Sequence, residues 1–389
     1  MPFRIGIGPV LLFLYSCIGI YLFCGRHGTV RGFARSFFVL ILLYAAWSLG
    51  LVLFRDEPLL NNRQIGYTAL IAVFAFAGIG MVLVQNPLRW YVLGSRIGVM
   101  FAALISAAFS LFDTERFGIG GNEAVFALMV GISAIGAGIR IHNAPAYLPN
   151  GPQWLLMGMA GVLLSGTRAV IIVFPFFLAV EFYCFFKRFN IRQQVACYMA
   201  LATIITGMVM IGPVSDILDR RFAGMIDYYS SGDSRQWVDK QSADIRAVMW
   251  TSAARVIAEH PLTGVGGYSK MSVVRAAAGE QGNLIDGFRH VHNSVLDELL
   301  NDGMIGLILQ VGAFVALVVF LWRNFSDWSL RRALIYFTLV CFSYGMLHTP
   351  LLHEGTIAAV MFYLAVMYAT ASRHIMARRR MVMSEFVRE

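Results

Sequence analysis

The stretch HNSVLDELLNDGMIGLILQVGAFVALVVFLW, residues 292–322, changes character halfway along. Residues 292–302 read as an amphipathic helix, with Leu296, Leu299 and Leu300 on one face and Asp297, Glu298 and Asp302 on another. Residues 303–322 are almost wholly apolar and long enough to cross a hydrocarbon core of about 30 Å. Gly303 and Gly306 stand at the junction. A polar helix that runs straight into a span places His292 at the mouth of a bilayer.

Composition extends this reading to the whole chain. The 389 residues are 58% hydrophobic and 14% charged, with a mean hydropathy of +0.67. A soluble domain carries about 25% charged residues. The chain is therefore expected to be an all-α polytopic membrane protein, because an unclosed backbone in lipid must satisfy its hydrogen bonds within helices. Apolar runs lie near 6–24, 36–54, 66–84, 91–112, 123–139, 153–166, 168–186, 194–212, 303–322, 333–348 and 355–371. That gives about 11–12 transmembrane helices. The apolar N-terminus reads as a first span, not a removed signal.

The net charge of +9 does not point to nucleic acid. Basic residues cluster at Arg26–Arg35, Lys187–Arg192, Arg323–Arg332 and Arg373–Arg380, each beside an apolar run. Cytoplasmic loops show this bias. It puts the C-terminus inside and residues 213–302 on the opposite, extracytoplasmic side. That segment is far longer than a connector, and it holds 12 of the 22 acidic but 9 of the 31 basic residues. The expected organisation is an N-terminal bundle at 1–212, a loop domain at 213–302 with helices near 244–259 and 292–302, and C-terminal spans with a basic tail at 303–389. Cys17, Cys24, Cys184, Cys197 and Cys341 all lie in or beside apolar runs, so no disulfide framework or metal cluster is suggested.

Several residues are candidates for chemistry. His292 can accept a proton near neutral pH. If Asn293 caps the next helix, its positive end disfavours imidazolium, as a general base requires; the alternative is an interfacial cap or headgroup contact. Arg168, in LLSGTRAVIIVFPF, stands at the outer mouth of a span. It is either a snorkelling side chain or an anion clamp whose guanidinium fork fits phosphate oxygens. Arg246 falls in the first turn of a helix that Asp244 starts and Pro261 closes, with Trp250 four residues on. Arg220 and Arg221 open the long loop as headgroup contacts or phosphate ligands. Arg140, in GAGIRIHNAP, falls inside by alternation unless its segment re-enters. His348, His353 and Glu354 lack the spacing of a metal site. The glycines of PLTGVGGYSK (261–270) read as a hinge, and residues 271–288 show no strong period.

Three of these stretches together resemble the O-antigen ligase and polymerase superfamily. HNSVLDELLNDGMIG is similar to its His-Asn-x-x-Leu…Gly-x-x-Gly motif, SGTR to its Ser-Gly-Ser-Arg, and DIRAVMW…HPLTGVGGYS to its Arg-x-x-x-Trp…Pro-Leu-x-Gly-Val-Gly. They occur in the family's order over about 165–310. The resemblance implies a GT-C-like fold and metal-independent, inverting glycosyl transfer without a cofactor. The donor would be a glycan on undecaprenyl pyrophosphate, and the acceptor a sugar hydroxyl on lipid A-core or on another lipid-linked glycan. His292 would be the base; Arg168 and Arg246, with Arg221 and Arg140, would bind pyrophosphate. The site would face the periplasm from a bacterial inner membrane. The chain between Pro149-Asn150 and Ser-Gly-x-Arg allows one crossing at most, fewer than the family commonly has. Polymerase chemistry is the same, so an O-antigen or exopolysaccharide polymerase is the alternative. A secondary transporter is the alternative from another class, but no internal repeat is visible.

Overall fold

The computed structural model describes residues 7–25, 34–59, 62–112, 117–118, 122–187, 189–210 and 240–386. Among these residues helices are the regular secondary structure and no strand occurs, and each of the eleven apolar runs is a helix or a broken pair of helices. In chain order these are α1 (Ile7–Cys24), α2 (Arg35–Phe54), α3 (Arg63–Phe74), α4 (Ala77–Met81), α5 (Pro87–Phe112), α6 (Glu123–Gly138), α7 (Gln153–Ser165), α8 (Arg168–Ile171), α9 (Phe174–Phe186) and α10 (Ile191–Met210). After them come α11 (Lys240–Glu259), α12 (Lys270–Ala278), a 3-10 turn at Gly279–Ile285, α13 (Ser294–Asn301), α14 (Gly303–Asn324), α15 (Trp328–Leu347) and α16 (Glu354–Phe386).

Among the described residues, seven helical segments are long and apolar enough to cross a membrane: Arg35–Phe54, Arg63–Met81, Pro87–Ser110, Arg168–Phe186, Gly303–Asn324, Trp328–Leu347 and Glu354–Ser384. Three shorter apolar helices lie at Gly8–Cys24, Glu123–Gly138 and Gln153–Ser165. Exposed faces are apolar, as on α14, where Ile308, Val311, Val315 and Val319 point outward. Such a surface suits lipid and not water. The protein is thus an all-α polytopic membrane protein.

The chain divides into two compact units. The first comprises residues 1–91, 249–335 and 349–389. Here α1 crosses α4 at Gly19 and Gly80, where each glycine lies against the opposite backbone too closely for any side chain. Small residues permit such approach where lipid supplies no hydrophobic drive. Phe23, Phe38, Phe76 and Tyr368 form an aromatic core beside them. Helix α14 packs along α2.

The second unit comprises residues 92–248 and 336–348. Its α6 and α7 pack closely, Gly158 facing Ala134. The SGTR stretch breaks the helix as its Gly166-Thr167 boundary suggested. Gly166 takes φ 64°, Thr167 is extended, and Arg168 begins α8. Pro175 lies in the first turn of α9, where its missing N–H is harmless.

One expectation for the long segment needs correction. Helix α11 already runs at Lys240, so Asp244 does not start it and Arg246 lies beyond its first turn. The stretch 271–288, which shows no strong period, holds most of α12 and the 3-10 turn. Arg220 and Arg221 lie outside the described residues.

Candidate active site

The loop-to-span junction is built in the first unit. Asn293 is the N-cap of α13: its Oδ1 accepts from Val295 N at 3.0 Å and Leu296 N at 3.1 Å. This satisfies two of the donors that a helix start leaves over. His292 immediately precedes the cap and is half-buried. Its φ is 52°, in the left-handed region that non-glycine residues seldom enter. The His290 ring lies against it at 4.3 Å between centroids, and Phe288 meets it edge-on at 5.6 Å. Burial lowers the pKa of His290; Asp297 opposes this and Lys270 adds to it.

The hinge at 261–267 is a docking piece for α13. Val265 N and Gly266 N donate to Leu300 O at 2.7 and 3.1 Å. Met304 N and Ile305 N donate to Pro261 O and Leu262 O at 2.9 and 3.5 Å. Gly303 makes this possible: its φ is 68°, and Leu262 O occupies the place of a side chain. From the turn after α2, Arg55 donates to Asn301 O at 3.1 Å, to Gly264 O at 3.1 Å and to Thr263 O. Trp47 Nε1 donates to Asp302 O at 3.0 Å. The carbonyls of Leu300, Asn301 and Asp302 at the end of α13 are thereby closed.

The acidic face of α13 is not solvated. Asp297, Glu298 and Asp302 are all buried. Asp297 pairs with Lys270 at 2.6 Å. Glu298 Oε2 accepts from Tyr44 of α2 at 3.3 Å and from Gln310 of α14 at 3.5 Å. Asn301 Nδ2 donates to Gln64 Oε1 at 3.1 Å. Burial raises the pKa of Glu298 well above the carboxylate range, and Asp302 and Asp297 raise it further. Burial likewise lifts Asp302 to about 6, against the pull of Ser48 and Arg55.

Trp250 of α11 donates from Nε1 to Val291 O at 2.7 Å, next to His292. Arg246 stands one turn earlier on the same helix and is half-buried. Arg168 and Arg140 belong with Arg246 to the second unit, and His292 belongs to the first. Arg168 is half-buried as the first residue of α8, whose Ala169 O accepts from Ser343 at 2.5 Å.

Arg140 lies in a segment held by a residue with no role in the sequence reading. Arg96 is fully buried in α5. It donates to Ala137 O at 3.0 Å, Leu148 O at 2.7 Å, Ile139 O at 3.0 Å and Asn150 Oδ1 at 2.8 Å. Asn150 in turn bonds both the N–H and the C=O of Ile141. Both neighbours of Arg140 are therefore pinned.

His353 Nδ1 accepts from Gly355 N at 3.1 Å, and His348 stacks on Tyr344 at 4.9 Å. Both make local structural contacts.

A polytopic helical membrane protein whose polar segment is interlocked with the start of a span is the class that this arrangement defines. Residues 154–311 match the family model described as O-antigen ligase. Over these residues the chain is similar to that family, in agreement with its three motifs. The match spans the α7–α8 break, the long segment and the first turns of α14. No curated protein sequence matches the chain at a significant level.

Proposed function

We propose that the chain is an inverting glycosyltransferase of GT-C-like fold in a bacterial inner membrane. It moves a glycan from undecaprenyl pyrophosphate to a sugar hydroxyl of lipid A-core at the periplasmic face. The basic clusters give the orientation, with the C-terminus cytoplasmic and the segment 213–302 periplasmic. The observation that carries the reading is His292. A non-glycine residue stands at φ 52° immediately outside a capped helix that leads into a span. Uncommon backbone geometry of this kind gathers at functional sites.

In this reaction the His292 imidazole takes the proton of the acceptor hydroxyl. The hydroxyl oxygen bonds to the anomeric carbon from the face opposite the pyrophosphate. The anomeric C–O bond breaks, configuration inverts, and undecaprenyl pyrophosphate leaves with the bonding pair. The imidazolium then returns its proton to water. Arg168 and Arg246, with Arg221 and Arg140, offset the charge that grows on the leaving group. A polyprenyl tail stays in lipid while its glycan is in water, so a base at the junction of loop and span suits both.

The test uses protein in nanodiscs, the lipid-linked glycan pool of the native host, and two acceptors: lipid A-core and a second lipid-linked repeat. Free polyprenyl pyrophosphate and product mass are followed with a chelator present. His292-dependent release with lipid A-core consumed is the expected result. Consumption of the second repeat instead makes the enzyme a polymerase. No release from folded protein with either acceptor overturns the reading.

A further inference from the structure

Val291, the residue before His292, is wholly buried and its peptide groups are held from two sides. Its N–H donates to Asp297 Oδ1 at 3.2 Å. Its C=O accepts from Trp250 at 2.7 Å. On the far side of His292, Asn293 is fixed by its two capping bonds. The left-handed φ of His292 is the geometry that joins these two fixed ends.

Asp297 is itself held. Its other oxygen takes Lys270 Nζ at 2.6 Å and Asn301 Nδ2 at 3.3 Å. Lys270 is 4% exposed and Asp297 2%. Stability alone is a poor reason for such a pair, because desolvating two charges offsets most of their attraction, and an apolar pair of similar volume often serves as well. An apolar pair has no acceptor for the Val291 N–H.

We propose that Lys270 and Asp297 are positioning residues for His292: the ion pair orients the Asp297 carboxylate, which holds the Val291 peptide and so aims the imidazole. The proposal rests on His292 being the base of the transfer reaction. Misplacing a reacting group by about 1 Å lowers turnover by about 10²-fold.

Two double variants separate positioning from packing. Lys270→Met with Asp297→Leu removes both charges and the acceptor. Lys270→Met with Asp297→Asn removes both charges but leaves an amide oxygen for the Val291 N–H. Both are expected to fold with thermal midpoints near wild type. The leucine variant is expected to lose about 10²-fold in kcat with KM for the lipid donor unchanged, and to exchange the Val291 amide hydrogen at least about tenfold faster. The asparagine variant is expected to stay within a few-fold of wild type on both counts. A folded leucine variant with wild-type turnover overturns the proposal, as does an equal loss in both variants. Wild-type protein that folds but releases no polyprenyl pyrophosphate refutes the transferase reading instead. Amide exchange needs no turnover, and unchanged exchange in the leucine variant overturns the holding role of the pair by itself.

Discussion

Asp302 offers a test of the buried acidic network that needs no substrate. It is 1% exposed, and its Oδ2 has no hydrogen-bond partner among the described residues. Its pKa stands at about 6 instead of 3.8. At about 1.4 kcal/mol per unit, that rise is worth about 3 kcal/mol. The sign follows from proton binding. The folded state holds this proton more tightly than the unfolded chain, so the stabilising contribution is complete below pH 3.8 and lost as pH rises through about 6. Asp302→Asn is neutral at every pH and of the same shape. At pH 7.5 the variant is expected to unfold later than wild type, by up to about 3 kcal/mol or several degrees in midpoint. The gap should narrow between pH 6 and pH 4.5. Thermal unfolding in nanodiscs across that range reads it. Glu298 neighbours the same site and its pKa is raised too, partly by Asp302; removing that charge relieves Glu298 in the same direction. A variant that is less stable than wild type at pH 7.5 refutes the reasoning. So does a gap of equal size at both ends of the range.

Two further substitutions test the site and its frame. His292→Gly suits φ 52° without strain, while glycine loses about 0.5–1 kcal/mol through chain entropy. Its unfolding free energy is expected to stay within about 1 kcal/mol of wild type, with transfer reduced about 10²–10⁴-fold as for loss of a general base. A folded, fully active variant removes His292 from the chemistry. Arg96→Met leaves the carbonyls of Ala137, Ile139 and Leu148 without this donor and removes one of the two that Asn150 Oδ1 accepts from. Each such charged hydrogen bond contributes about 1.5–3 kcal/mol. The folded yield in detergent is expected to collapse, with partial recovery in Arg96→Lys, which lacks the guanidinium fork. Normal yield and thermal midpoint for the methionine variant contradict a structural role for Arg96.

The helices were legible because lipid imposes one rule: a spanning segment must be long, apolar and internally bonded. The run read at 36–54 is the helix Arg35–Phe54, and that at 303–322 is Gly303–Asn324. The capping role of Asn293 was legible for the same reason, since it depends on neighbours in sequence. What the acidic face of α13 meets was not legible. Periodicity can separate Asp297, Glu298 and Asp302 from the leucines, but it cannot say what each face meets. The signal lay in the spans. Tyr44 and Ser48 in one apolar run and Gln310 in another are polar groups at membrane depth, and such groups seek partners. Three carboxylates within six residues of sequence, next to the mouth of a span, were there to supply them.

Arg55 and Arg96 escaped notice because their acceptors are backbone carbonyls far along the chain, and residue types do not report those. The left-handed turn at His292 escaped for a related reason: it is set by Asp297 and Trp250, not by histidine. The same long-range bonding explains why motifs that are loose one by one form a specific set. The amides of the Gly-Val-Gly stretch close the Leu300 carbonyl, and the amides after Gly303 close those of Pro261 and Leu262. Each segment supplies the hydrogen bonds that the other lacks. A change in the glycine spacing of either one therefore leaves carbonyls open in the other, and moves the start of the helix that carries the cap beside His292.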